Sequence, residues 1–145
     1  MKIAIGGDHA AIVLKSDIKN YLTSLGHTVE DIGSYSEAST DYPLYAKEVA
    51  ERIQSNKVES GILICGTGIG MSIAANKFEG IRAAAVADPY SAMSAKKHNN
   101  ANVLCFGARV VGVELAKMLV DAYLNAEYQG GRHQNRIDQI TSFEK

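Results

Sequence analysis

Gly61-Ile62-Leu63-Ile64-Cys65-Gly66-Thr67-Gly68-Ile69-Gly70-Met71-Ser72 is the stretch on which the fold turns. Its apolar start has the length and composition of a buried strand, and the strand stops at Cys65. Gly66, Gly68 and Gly70 then alternate with Thr67 and Ile69, and the helix formers Met71, Ile73, Ala74, Ala75 and Lys77 follow. Glycines at this spacing let backbone N–H groups approach a ligand closely, and the start of a helix favours negative charge. A thiol beside such an anion cradle is placed for chemistry, as a nucleophile or as a general base.

The same alternation of strand and helix runs outward in both directions. Strands are expected over 2–6, 28–31, 59–65, 81–86 and 102–106. Helices are expected over 10–25, from Asp41-Pro43 to Gln54, and over 68–77, 88–97, 110–126 and 132–143. Asp8 caps the first helix, where Ile12, Leu14, Ile18, Tyr21, Leu22 and Leu25 recur on one face. Small polar residues make 33–40 a loop, and His98-Asn99-Asn100-Ala101-Asn102 is a polar connector. The strands are short and apolar rather than alternating, which predicts a parallel sheet covered on both faces. The expectation is one α/β domain over 1–145: a Rossmann-like, doubly wound, five-stranded parallel sheet with helices on both faces, plus a C-terminal helix. Ligands in such sheets bind beyond the C-terminal strand ends. Asp8 and His9 follow the first strand, Cys65 ends the third and Asp88 follows the fourth.

Bulk composition narrows the function classes. With 145 residues, 46% of them hydrophobic, the chain can bury an ordinary single core. A net charge of −1 argues against a general nucleic-acid or membrane-surface role. No apolar run approaches the length of a membrane span, and Met1-Lys2-Ile3-Ala4-Ile5 leads straight into a strand without a signal-peptide pattern. The two cysteines, Cys65 and Cys105, lack metal-ligand spacing, so a reduced, cytoplasmic protein without a metal is expected.

The glycine loop lacks the Gly-Lys-Ser/Thr of a nucleotide triphosphate loop, and Met71 stands where a dinucleotide fingerprint needs its third glycine. Three alternating glycines also exceed what a tight turn needs. Cys105, inside Val103-Leu104-Cys105-Phe106, reads as a buried small hydrophobe. His9 is well placed by the strand-end rule. His27, behind the helix-ending Gly26, reads as surface. His98 lies among Asn99 and Asn100, which supply amide donors and acceptors. Arg132 and Arg136, four residues apart on the last helix, suit a phosphate dianion through forked hydrogen bonds, with no acid one turn away to neutralise them. Arg109, after Gly107-Ala108, is a third candidate cation. A base, an anion cradle, a histidine and a phosphate clamp fit cofactor-free proton transfer on a phosphorylated sugar: a base near C2, donors for the enediolate, and phosphate as remote binding energy.

These residues also carry a family resemblance. Gly6-Gly7-Asp8-His9, Thr40-Asp41-Tyr42-Pro43, Ile64-Cys65-Gly66-Thr67-Gly68-Ile69-Gly70, Ala74-Ala75-Asn76-Lys77, Glu79-Gly80-Ile81-Arg82-Ala83, His98-Asn99 and the segment from Gly130-Gly131-Arg132-His133 to Arg136 resemble the ribose-5-phosphate isomerase B family in register over nearly the whole chain. The resemblance implies that Cys65 moves the C2 proton and that the backbone amides from Gly66 through Gly70 (Gly66, Thr67, Gly68, Ile69 and Gly70) hold the enediolate. It implies that Asp8, Thr67 and His98 serve ring opening and hydroxyl contacts, with His98 as proton donor. Asn99 would contact the sugar; His9, Arg109, Arg132 and Arg136 would bind phosphate; Tyr42 would line the pocket. One subgroup uses a glutamate as base where this chain has Met71, so the chain resembles the cysteine subgroup. The family's site is shared across a homodimer, with the segment holding His98, Asn99 and Arg109 supplied by the partner chain, and a tetramer is a further assembly. The expected ligand is a small sugar phosphate, with no cofactor, nucleic acid or membrane. Six-carbon sugar phosphates (allose or galactose 6-phosphate) are the alternative substrates, and a non-catalytic phosphosugar-binding module is the alternative of a different class.

Overall fold

Five strands align in parallel because each is followed by a helix that returns the chain, and the three central ones are buried on both faces while the edge strands are partly exposed. The computed structural model describes residues 1–33 and 41–144; most of the expected 33–40 loop, with Thr40, lies outside the described residues. The strands are β1 (Lys2–Gly7), β2 (Thr28–Gly33), β3 (Ser60–Cys65), β4 (Ala83–Ala85) and β5 (Val103–Gly107). The helices are α1 (Ile12–Ser24), α2 (Pro43–Gln54), α3 (Ile69–Ala75), α4 (Pro89–Lys97), α5 (Val113–Asn125) and α6 (Arg132–Thr141). The strand order is β2-β1-β3-β5-β4, and every pairing is parallel.

That order decides which face each helix covers. A right-handed crossover lays its helix on one face when the chain moves to one side of the sheet, and on the other face when it moves back. The steps β1 to β2 and β4 to β5 run one way; β2 to β3 and β3 to β4 run the other. Accordingly α1, α4 and α5 pack on one face, where Leu14, Ile18, Ala95, Leu119 and Tyr123 meet Ile3, Ile5, Ile62, Ile64, Leu104 and Phe106. Ala46, Val49 and Ala50 of α2 and Met71 and Ala75 of α3 cover the opposite face, against Ala4, Leu63, Cys65, Val103 and Cys105. Each fully buried Ile, Leu or Phe in these layers contributes about 1.5–3 kcal/mol. Alternation along β3 therefore sends Cys65 to the α2/α3 side.

Three elements depart from the sequence expectation. The first helix is split: Asp8 Oδ1 accepts from the Ala10 N–H at 3.0 Å and caps a single 3-10 turn, His9–Ala11, before α1 begins. The fourth strand shrinks from 81–86 to three residues. Side chains take over the hydrogen bonds of the segment leading into it: Asn76 Oδ1 accepts from Ala83 N–H (2.8 Å), and Asn102 Oδ1 accepts from Arg82 N–H (2.8 Å). The fifth helix starts at Val113 rather than 110, because the amides of Val110 and Val111 both turn back to the Gly107 carbonyl at 3.0 Å. α6 lies at the β4 edge, its first turn against His98 and its end at Gly80, whose N–H donates to Glu144 Oε1 at 3.0 Å.

Beneath the sheet, buried polar groups tie the 98–102 connector to α5 and β3. The Tyr123 hydroxyl donates to the Ala101 carbonyl (2.9 Å) and lies 2.8 Å from Ser60 Oγ, which reaches the Asn102 carbonyl at 3.2 Å. Burial pushes the Tyr123 phenol above the ordinary tyrosine range, so it remains a neutral donor. Tyr123→Phe leaves the Ala101 carbonyl unpaired in the core and should lower stability by about 1–3 kcal/mol. Urea denaturation measures this, and an unchanged midpoint would show the hydroxyl to be energetically idle.

Candidate active site

β1 and β3 are neighbours, yet the chain leaves β1 toward β2 and leaves β3 toward β4. A crevice therefore opens between their C-terminal ends, the place where open parallel sheets receive ligands. Gly7 pairs with Ile64 across the two strands, so the next residues, Asp8 and Cys65, face one another across this crevice. The Asp8 N–H donates to the Ile64 carbonyl at 3.3 Å. Asp8 is buried and committed to its capping bond, while His9 is half-buried. The enclosed Nδ1 of His9 has no hydrogen-bond partner among the described residues.

The glycine loop is shaped by two of its glycines. Gly68 has φ +84°, and a Cβ there would stand 2.7 Å from Phe106 Cα, so only glycine makes this turn. The turn swings the Gly68 N–H onto Cys65 Sγ at 3.1 Å. Gly70 passes under Tyr42, where a Cβ would stand 2.6 Å from the ring, so the Tyr42 side chain lies directly on the loop. Thr67 is exposed, and its Oγ1 accepts from Ile69 N–H at 3.3 Å. Two of the loop amides expected to hold an oxyanion, Gly68 and Ile69, are thus already engaged. Those of Gly66, Thr67, Gly70 and Met71 have no partner among the described residues and are free to bind one.

Arg109 joins this end of the sheet. Ala108 N–H donates to the Cys65 carbonyl (2.8 Å) and Arg109 N–H to the Gly66 carbonyl (3.1 Å). Its guanidinium lies over Gly66, with Nη1 3.4 Å from where a Cβ would be. Lys15 is a buried cation that sequence reading missed, since a lysine on an amphipathic helix reads as solvated. It ion-pairs with Asp31 at 2.8 Å and braces the end of β2 below the Gly7–Asp8 turn. Cys105 is fully buried, and burial pushes its thiol well above the ordinary cysteine range, with Cys65 adding to the effect. Asp88 caps α4 through Ser91 N–H (2.8 Å) and Ser91 Oγ (2.7 Å), and these bonds hold its carboxyl below the usual range. His27 is half-buried rather than on the surface as expected, with Nδ1 enclosed.

The other expected site residues gather elsewhere. His98 ends α4, which runs back to the N-terminal side of the sheet, and Asn99 follows it. β5, five residues long, separates this connector from the Cys65 end by about 16 Å at 3.3 Å per residue. Arg132, His133 and Arg136 of α6 lie with His98, whose ring stacks on His133 at 4.6 Å with 19° between planes. Neither arginine makes an ion pair among the described residues. The fold thus places Asp8, His9, Tyr42, Cys65, the loop and Arg109 at one end, and His98, Asn99, Arg132 and Arg136 at the other. The resemblance groups Arg109 with His98 and Asn99; the fold separates them. A cavity of about 740 Å³ also lies at the second end, lined by Lys77, Phe78, Arg82, Asn99, Ile140 and Phe143 among others. No three His, Cys, Asp or Glu side chains cluster as a metal site among the described residues, and none of the described helices is long and apolar enough to cross a membrane.

Partial desolvation, then His98, Arg132 and Arg136, hold the His133 imidazole below the usual histidine range. Its folded value is depressed, so whatever stability it contributes is present above about pH 6.5 and lost as pH falls. An NMR titration should place His133 below about 6.5, moving upward in His98→Asn. A value at or above 6.5 would contradict the stacked, cation-flanked arrangement.

A family model described as Ribose/Galactose Isomerase matches residues 3–140. The chain is 55% identical over 144 residues to the ribose-5-phosphate isomerase B of Escherichia coli (strain K12), covering 99% of this chain and 97% of that one. It is 49% identical over 146 residues to a D-erythrulose-4-phosphate isomerase of Pectobacterium atrosepticum, covering 99% of this chain and 95% of that one. Among solved structures, a ribose 5-phosphate isomerase from Thermotoga maritima superposes with a TM-score of 0.95 at 54% identity, over 97% of each chain.

Proposed function

The chain belongs to the ribose/galactose isomerase family, and we propose that it interconverts ribose 5-phosphate and ribulose 5-phosphate through an enediolate, with Cys65 as the base. The observation that carries this is the Cys65 sulfur at the sheet's switch point, held by the Gly68 N–H and bordered by unpaired loop amides. The thiolate removes the proton from C2 and returns it to C1 while the hydroxyl proton passes from the C2 oxygen to the C1 oxygen, so the atoms balance and no bond forms between sulfur and sugar. As the C1 and C2 oxygens gain charge, amide donors of the loop stabilise them, and this interaction grows toward the transition state. Ring opening needs a proton given to the ring oxygen and one taken from the C1 hydroxyl; His98 gives the first and the Asp8 carboxylate accepts the second. Asp8 and Thr67 hold sugar hydroxyls, Asn99 adds a further contact and Tyr42 closes the pocket wall. The phosphate binds His9 and Arg109 together with Arg132 and Arg136.

A single chain cannot deliver this set to one substrate, because His98, Asn99 and the α6 arginines lie at the far end of the sheet from Cys65. A ribose phosphate is far shorter than that gap. A two-fold dimer, which places one chain's Cys65 end beside its partner's His98 end, completes two equivalent sites. Ile69 and Ile73, 57% and 59% exposed on the outer side of α3, and Leu44, 60% exposed at the start of α2, give such a dimer apolar surface next to the glycine loop.

Cys65→Ala, assayed on ribose 5-phosphate with chelator present, should lose about 10²–10⁴-fold in kcat. Near-wild-type turnover would remove Cys65 as the base. Of ribose 5-, erythrulose 4-, allose 6- and galactose 6-phosphates, ribose 5-phosphate should give the highest kcat/KM. A higher value for another would reassign the substrate and leave the chemistry in place.

A further inference from the structure

Asn99 poses a positioning problem that the proposed mechanism leaves open. Its side chain is exposed and makes no hydrogen bond among the described residues, so its placement rests on the backbone that follows it. That backbone turns sharply. Asn100 has φ +47°, the left-handed conformation that asparagine takes just past a helix end more readily than other non-glycine residues.

The end of α4 closes this turn, with Asn100 N–H donating to the Lys96 carbonyl (3.1 Å) and Ala101 N–H to the Ala95 carbonyl (2.9 Å), and a side chain clasps it from outside: Arg82, a residue of the Glu79-Gly80-Ile81-Arg82-Ala83 motif to which no role has been given. Arg82 Nε–H donates to the Asn100 carbonyl at 2.9 Å. Arg82 is itself fixed from behind. Its N–H donates to Asn102 Oδ1 (2.8 Å), its carbonyl accepts from Asn102 N–H (3.0 Å), and Asn102 Nδ2 donates to the Gly80 carbonyl (2.8 Å). The arginine is half-buried and has no carboxylate partner among the described residues. A cation kept on a backbone carbonyl beside a proposed substrate contact is an expensive way to stabilise a plain turn. We infer that Arg82 is a positioning residue: through the Asn100 carbonyl it sets the placement of Asn99 and His98, the half of the site offered to the partner chain. The inference rests on the reaction proposed above.

Glutamine and methionine variants separate this role from a charge effect. Gln Nε2 occupies the place of Arg Nε along the side chain, so Arg82→Gln keeps the donor and removes the charge; Arg82→Met removes both. Arg82→Gln should keep kcat for ribose 5-phosphate within about threefold, whereas Arg82→Met should lose about 10–100-fold in kcat with KM little changed. In an Asn99→Ala background the loss caused by Arg82→Met should shrink but not vanish, because the part exerted through Asn99 is already gone and the part exerted through His98 remains. Hydrogen exchange at the 99–102 amides should quicken in Arg82→Met and not in Arg82→Gln, a readout independent of turnover. Equal losses in both variants with a raised KM would overturn the inference in favour of direct phosphate binding by the guanidinium. An undiminished loss in the Asn99→Ala background, or unchanged exchange, would also overturn it. If Arg82→Met does not fold, Arg82→Gln decides alone: retained kcat supports the inference and lost kcat refutes it. Failure of the wild type to convert ribose 5-phosphate would defeat the underlying reaction, while the exchange data would still report whether Arg82 holds the connector.

Discussion

The hydrogen bond from the Gly68 N–H to Cys65 Sγ is possible only because residue 68 turns left-handed against the backbone of Phe106. Everything at the Cys65 end of the sheet follows from that turn. It ends β3, starts α3 on the face that Cys65 points to, and leaves the flanking amides unpaired. A side chain at 68 would collide with backbone, which cannot yield as the tip of a flexible side chain can. The loop is therefore rigid by exclusion, which is what preorganised stabilisation of a growing charge requires.

The second constraint is directional. Parallel strands put every strand-following residue at one end and every helix-following residue at the other. Asp8, Cys65 and Arg109 follow strands; His98 and Asn99 follow a helix. Chemistry needing both sets must draw on two chains, and an isologous contact makes two sites from one surface at no further cost in design. The stacking of His98 on His133 extends the division, because it assigns the α6 arginines to the His98 end.

Much of this was legible in the sequence for physical reasons. Non-alternating apolar strands announced a sheet buried on both faces, and Asp88-Pro89 fixed the start of α4 as a capping residue before a proline should. The strand-end rule placed Asp8, His9 and Cys65 together. Features that depend on side chains from distant segments were not legible. The fourth strand is short because Asn76 and Asn102 satisfy the backbone beside it, and no local pattern announces that. The burial of Lys15 is set by Asp31 on another element. Strand order, and with it the place of Arg109 over its own Gly66, emerges only when the sheet is assembled.

The division of the site between two chains is the central claim, and mixing two inactive variants tests it most directly. Cys65→Ala lacks the proposed base, and His98→Ala lacks the proposed ring-opening group at the opposite end. Unfolded together and refolded at equal amounts, they should form mixed dimers if the proposed two-chain site is right, with one of two sites drawing both intact residues. Random pairing predicts recovery of about a quarter of wild-type activity from two preparations that are each nearly inactive. A mixture that stays as inactive as its components, with mixed dimers demonstrated, would mean that each chain carries its own complete site.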